Sequence, residues 1–349
     1  MSDRGFAAVA VIVLMVPMTV AGQVGGVAPD GWTVPLTADG QPDLQGVWDF
    51  RTITPMERPS ELAEKEFLTD EEAAEVAQEI LDRRDHDRPP REGSAGTYNQ
   101  FWWDYGTRLT DDNRTSLIVE PRDGRIPPLT PDAQERAEAR GASRRDHPAD
   151  SWEDRSVAER CILGFNSGPP MRPSAYNNNV QVFQAPGYVV ILNEMVHDAR
   201  IVPLDGRPHL APHVGQWHGD SRGYWDGDTL VVDTMNFTHK TSFRGSTENL
   251  HLVERFTRLD ADTLLYEFTV DDPSTFTTPW TAVVPMAKNP VPMYEYACHE
   301  GNYGMEGILA GHRADELAAA VAKTGMKQVN ARVYVRGGSD ASSVSRGRE

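Results

Sequence analysis

Three short stretches of the chain carry the residue types that acid–base chemistry needs. The first reads Glu194-Met195-Val196-His197-Asp198-Ala199-Arg200 and sets an imidazole among carboxylates and a guanidinium. His197 suits general-base work, with Asp198 or another carboxylate orienting the ring. Arg200 can hold a carboxylate or an enolate-like oxygen through its planar fork. On a regular strand Glu194 and His197 point to opposite faces, so their convergence requires a bulge or a strand end. The competing reading is a structural Glu–Arg pair beside a satisfied histidine. The second stretch, Gly219-Asp220-Ser221-Arg222-Gly223, is framed by glycines that bend the backbone and present the side chains. Asp220 is read as the partner that orients His197, and Arg222 as an anion binder. Equally, the two tie the loop to a sheet. Ser221 lacks the Gly-x-Ser-x-Gly frame of a hydrolase nucleophile.

The third stretch covers residues 294–303, Tyr-Glu-Tyr-Ala-Cys-His-Glu-Gly-Asn-Tyr. His299 is read as an acid or base with Glu300 beside it. Tyr296 and Asn302 are read as hydrogen-bond donors to a developing oxyanion. A His–Glu latch closing the last strand is the structural alternative. Histidines also gather at His209, His213 and His218, with His197 nearby in sequence. Several imidazoles suit zinc. No helical HExxH frame is present, however, and a proline-containing loop does not preset ligand geometry. The reading is therefore no metal, with that histidine set as the alternative, and no motif asks for an organic cofactor.

These residues need a scaffold, and the sequence from residue 179 onward reads as strands. Runs at 179–184, 188–194, 199–202, 223–225, 229–237, 250–259, 263–271, 278–286 and 294–298 follow one another. Asp226-Gly227 between two of them is a strong hairpin signal. In 263–271 the alternation places Leu264, Tyr266, Phe268 and Val270 on one face. Consecutive hairpins at this spacing predict a mainly β protein, an antiparallel meander closed into a barrel or a strongly curved sheet. Residues 46–50 and 117–119 add strands. Asp233, Asn236, Glu254, Arg255, Glu267 and Asp271 interrupt the apolar pattern; turned inward, they make a polar, wet interior fit for a small molecule. Asn236 joins Arg200, Arg222, Tyr296 and Asn302 as a substrate-binding candidate. Trp225 and Trp280 either stack on a ring or belong to the core.

The region 58–160 reads as a helical and irregular wrapper. Thr69-Asp70-Glu71-Glu72 is a capping box. Thr130 caps a helix over 131–140 that has Pro131 in its first turn. Residues 99–105 form an aromatic cluster that packs across a barrel mouth or lines a pocket. A short helix is read at 314–323, and the tail beyond 338 is Ser/Gly/Arg-rich and read as disordered.

The 349 residues allow one large β domain or two smaller ones. A net charge of −18 repels nucleic-acid phosphates and excludes that partner class. Arg4, the apolar run 6–18 and the small residues Thr19 and Ala21 read as a signal peptide, residues 1–21. Its 13 apolar residues are too few to span a bilayer, so no stable membrane insertion follows cleavage. Periplasmic or secreted placement makes a disulfide the leading reading of Cys161 and Cys298, the only cysteines. The division is then a signal at 1–21, an extended segment at 22–45, a β-barrel-like domain at 46–312 and a short helix with tail at 313–349.

Gly46-Val47-Trp48, entering a strand, resembles the opening signature of lipocalin-like barrels, whose tryptophan plugs one end. The strings around Glu194–Arg200, Gly219–Gly223, Asn249–Arg258 and Tyr294–Gly304 together resemble a family of exported proteins from environmental bacteria. That resemblance spans roughly 46–310 and implies export and one β-rich domain, with no assigned reaction to carry over. His209 is usual in that family and His213 and His218 are not, which weakens the three-histidine site. The expectation is an exported enzyme of the hydrolase or lyase class at a barrel mouth. His197 and His299 act on a small molecule there, supported by Glu194, Asp220 and Glu300. The alternatives are a lipocalin-like carrier of an apolar or aromatic ligand and a cell-envelope scaffold.

Overall fold

The computed structural model of the chain describes residues 29, 31–87, 89, 99–240 and 243–324. The expected signal peptide and the tail beyond 338 lie outside these residues. The strands are β1 (Gly46–Asp49), β2 (Ile118–Glu120), β3 (Asn179–Ala185), β4 (Tyr188–Asn193), β5 (Ala199–Pro203), β6 (Asp220–Asp226), β7 (Thr229–Met235), β8 (His251–Arg258), β9 (Thr263–Asp271) and β10 (Trp280–Asn289). The helices are α1 (Asp70–Arg83), α2 (Pro131–Asp146) and α3 (Tyr303–Thr324).

All ten strands join one antiparallel sheet in the order β5-β4-β3-β1-β10-β9-β8-β7-β6, with β2 also on β10. Two meanders, β3–β5 and β6–β10, are thus joined side by side by β1. The splice is made of backbone: Val47 pairs with Gln181 on one side and Asn289 on the other. No ladder connects β5 to β6, so the sheet is not a hydrogen-bonded closed barrel. Side chains occupy that seam instead. A Cβ on Gly223 of β6 would come within 2.6 Å of Leu204 Cδ2 and 2.8 Å of Val202 Cγ1. The end strands therefore approach each other, and the sheet curves back on itself.

The alternation along each strand decides what is inside. In β8 and β9 every second residue is buried, including Leu252, Phe256, Leu264, Tyr266, Phe268 and Val270. These merge with Trp48, Val182, Ile191, Val232, Trp280 and Met286 into one apolar core. The polar, wet interior read from the sequence is not formed. Asp233, Arg255, Glu267 and Asp271 alternate with buried neighbours and face outward, leaving Glu254 as the inward one of the set. Trp48 donates its Nε1–H to Leu44 O at 2.9 Å. The Arg258 guanidinium lies 5.7 Å from the Trp48 ring centroid and donates to the carbonyls of Asp43, Asp260 and Ala261, closing that end.

The local signals fall where their chemistry requires. Thr69 and Glu72 cap α1 reciprocally, and Thr130 Oγ1 accepts from Ala133 N at 3.2 Å to start α2. The Cys161–Cys298 disulfide is formed, with Cα atoms 5.7 Å apart. The strand expected at 294–298 is absent: the segment is mostly exposed, finds no ladder partner, and is tied down by the disulfide.

Arg200 is also not where the sequence reading put it. It faces the core from β5 and binds Glu254 of β8 through both oxygens, at 2.6 and 2.9 Å. Tyr266 donates its hydroxyl to Glu254 at 2.7 Å and accepts from Met171 N at 3.0 Å. Arg200 is a core ion-pair partner, and its fork is already filled by protein. Arg200→Met leaves the Glu254 charge buried and unpaired, and the expected loss is about 3–5 kcal/mol. Removing both charges together, as in R200M with E254M, recovers most of it; urea unfolding of the two variants measures the difference.

Candidate functional site

The structure brings a histidine–carboxylate array together on the outer face of β6, β7 and β8. Strand parity creates it. Leu230, Val232 and Thr234 turn into the core, so Asp233 turns out. The two-residue turn between β6 and β7 sets Arg222 directly opposite Asp233. Asp220, two residues before Arg222, shares its face. The 204–219 loop then folds back over this face. Leu210 N donates to Asp220 Oδ2 at 2.9 Å, and Arg222 Nε donates to Pro208 O at 3.1 Å. Asn236 Nδ2 donates to Leu210 O and Ala211 O at 2.9 and 3.0 Å. Gly219 turns the chain at φ +70°, where a Cβ would meet Thr234 Cγ2 at 2.6 Å.

This loop inserts His209 between two carboxylates. Its Nδ1 is 3.1 Å from Asp220 Oδ2 and its Nε2 is 3.0 Å from Asp233 Oδ1. The other oxygen of Asp233 is 2.9 Å from His251 Nε2, and Arg222 Nη1 is 2.6 Å from Asp220 Oδ1. The result is a chain Arg222–Asp220–His209–Asp233–His251. Side-chain exposure rises along it, from 7% at Asp220 through 24% and 31% to 37% at His251, so the His251 end faces solvent. Each carboxylate only accepts, so every link needs a proton on the imidazole side. Hydrogen bonding to Asp233 raises the His251 pKa above its ordinary value, outweighing burial; Asp233 and Asp271 add their charge. Burial pushes the Asp233 carboxyl up, but hydrogen bonds and charge from His251 and His209 outweigh it and hold it low.

A second polar group lies at the end of β4. Val196 and His197 adopt left-handed backbone, φ 52° and 45°. For β-branched Val196 this is uncommon and marks a constrained turn. Asp198 receives Ser167 Oγ at 3.2 Å and Gly164 N at 3.4 Å. His218 Nε2 lies 3.3 Å from the same oxygen, without hydrogen-bond alignment. Ser167 faces a carboxylate rather than an imidazole, so the serine–imidazole contact of a histidine-activated nucleophile is not made.

The sequence-derived candidates are distributed among these places. His197 is exposed, its Nδ1 3.1 Å from Tyr296 O. Glu194 accepts from Asn179 Nδ2 at 2.8 Å. Asp220 orients His209 rather than His197. Arg222 braces Asp220 and the loop, and Asn236 pins that loop. Asn302 holds Glu159 O at 2.9 Å and caps the start of α3 through Met305 N. His299 and Glu300 are exposed and make no side-chain hydrogen bond among the described residues. His197, His209, His213 and His218 do not gather into a metal-ligand group among the described residues. His209 and His218 have separate carboxylate partners. His251 was missed by the sequence reading because the long loop before β8 leaves its register open. The Arg222–Asp233 pairing was not readable either: the two-residue loop is Gly227-Asp228, and Asp226-Gly227 taken as the loop would set Arg222 opposite Val231.

A groove of about 440 Å³ lies elsewhere, between the 99–111 segment and the outer face of β10. Trp103, Tyr105, Asp104, Arg108 and Asp111 line it. Arg51 at its wall is paired with Asp49 and Asp104. It contains no histidine and no residue of the array. No family model and no curated protein matches the chain.

The His251–Asp233 link has a definite pH signature. The His251 pKa is raised in the fold, so its contribution to stability is full below about pH 6.5 and fades as pH rises through the folded value. Asp233 is depressed, so its contribution is present above about pH 3.8 and is lost as pH falls through its folded value. Histidine NMR titration is expected to place the His251 midpoint above about 6.5, and D233N to move it down.

Proposed function

We propose that the protein is an exported enzyme performing acid–base chemistry, of the hydrolase or lyase class, on a small polar molecule at the β6–β8 array. The observation that carries this reading is His251 at the exposed end of a hydrogen-bonded chain that leads to buried Asp220. Its Nε2 is held by Asp233, and its Nδ1 has no hydrogen-bond partner among the described residues. A ring whose pKa a carboxylate raises, and whose second nitrogen has no partner among the described residues, suits a general acid for a leaving oxygen. Asp233 orients the ring, and His209, Asp220 and Arg222 hold Asp233 from behind. The exported placement rests on the N-terminal pattern and on a disulfide that joins residues 137 apart. No described helix is long and apolar enough to cross a membrane. The net charge of −18 makes nucleic acid a poor partner.

A second reading, a carrier, has one observation in its favour, the aromatic-walled groove at Trp103 and Tyr105. A deep lipocalin-like cavity within a closed barrel is the less favoured form of it, because core side chains fill the interior.

Purified protein screened against panels of esters, lactones and glycosides separates these readings. The enzyme reading expects a turnover that falls about 100-fold or more in H251N. It also expects D233N to shift the pH limb set by His251 downward. Turnover that survives H251N and H209N would sink the assignment to this array. Ligand binding that perturbs Trp103 and Tyr105 without turnover favours the carrier.

A further inference from the structure

A separate set of nitrogen and oxygen donors meets where α3 packs on the segment following α2. Asp150, His312 and Glu316 have donor atoms all within 4.8 Å of one another, and no other such group occurs among the described residues. His312 Nε2 lies 2.9 Å from Asp150 Oδ1 and 3.5 Å from Glu316 Oε1. His147 lies outside this group: its Nδ1 is 2.7 Å from the other oxygen of Asp150 and braces that carboxylate from behind. His312 and Glu316 are four residues apart on α3, so one helical turn stacks them on the same face. Arg313 fastens the two elements from the side, donating to Ala149 O at 2.9 Å and Asp150 O at 2.7 Å. It pairs with Glu316 Oε2 and leaves Oε1 facing His312.

The donors suit one kind of cation. Imidazole with carboxylate is the ligand chemistry of zinc and its transition-metal neighbours, whereas calcium and magnesium prefer oxygen alone. With metal–ligand bonds of about 2.0–2.1 Å, tetrahedral donors sit about 3.4 Å apart. The separations from His312 Nε2, 2.9 Å to Asp150 and 3.5 Å to Glu316, are near that edge, and all three donors lie within 4.8 Å of one another. His312 Nε2 faces Asp150 Oδ1 and Glu316 Oε1 together, so a cation between them takes the place of the shared proton, which is released on binding.

We propose that Asp150, His312 and Glu316 form a site for a divalent transition-metal ion of the zinc class, which clamps α3 to the segment after α2. The site shares no residue with the β6–β8 array. Most of α3 is exposed, so a cross-link at this point governs how firmly the helix is docked.

The test is titration of purified protein with zinc chloride by calorimetry, paired with hydrogen exchange of residues 303–324. The expected result is about one zinc per chain, proton release on binding, and slower exchange in α3. Outer-shell changes cost about 10–100-fold in affinity, so losing a ligand in H312A or D150N should cost about 100-fold or more. The affected residues are exposed or half-buried, and circular dichroism checks that each variant is folded. Absence of zinc binding overturns the proposal. So does binding that survives both variants, binding that is lost in H251A instead, or binding that leaves α3 exchange unchanged.

Discussion

The bidentate contact between Arg200 and Glu254 is the interaction on which the curved sheet depends. It spans the interior from β5, at one end of the strand order, to β8 in the other meander. Removing two charges from water is costly, and their attraction offsets this only when the geometry is close and further hydrogen bonds support the pair. Here Nη1 and Nη2 of Arg200 meet both carboxylate oxygens, Tyr266 adds a third bond to Glu254 and accepts from Met171 N, and Arg200 Nε is buried without a partner. Burial and the nearby Glu254 charge push the Tyr266 hydroxyl well above its ordinary pKa, which keeps it a donor. The meanders are also connected by the β1 backbone ladders, by Asn289 Nδ2 donating to Asn179 Oδ1 at 2.9 Å, and by the apolar seam at Gly223. The ion pair is the most demanding of these, because a misplaced charge has no partner in an apolar core.

The outer array inherits its order from this core. Asp233 points outward because Val232 and Thr234 point inward, and a one-residue slip would reverse both. His209 reaches its place through a loop rather than a strand. Its position therefore depends on Arg222, Asn236 and Gly219, each of which binds or turns that loop. Several residues that read as substrate binders are in fact the fasteners of the site. A guanidinium or amide that holds a loop has its donors committed to carbonyls and carboxylates of the protein, and little remains for a ligand. The array lies on the sheet's outer surface, in contrast to the barrel-mouth placement expected for a lipocalin-like fold.

The other end of the molecule is organised by covalent and polar ties instead of apolar burial. The disulfide holds 298 against 161, Asn302 reaches back to Glu159, and α3 leaves from there. The helix then meets Asp150 through His312 and Arg313. A helix with this much exposed surface gains little from the hydrophobic effect, so such ties decide where it sits.

The sequence by itself determined the elements whose signals are local. Alternation identified the buried face of β9, Asp226-Gly227 identified a hairpin, and Thr69 and Thr130 identified two helix starts. The disulfide followed from the count of two cysteines, which allows a single pairing. These features were legible because each depends on neighbours a few residues apart, or on a count that allows one pairing. Tertiary structure alone decided that β1 lies between β3 and β10, and that 294–298 forms no strand. It also decided that Arg200 faces Glu254, and that His209 and His251 converge on Asp233. The pattern of a strand states which residues share a face, but not whether that face is covered or which distant strand lies beside it. That choice follows from burying the most apolar surface while pairing every buried charge, and it is a property of the whole chain.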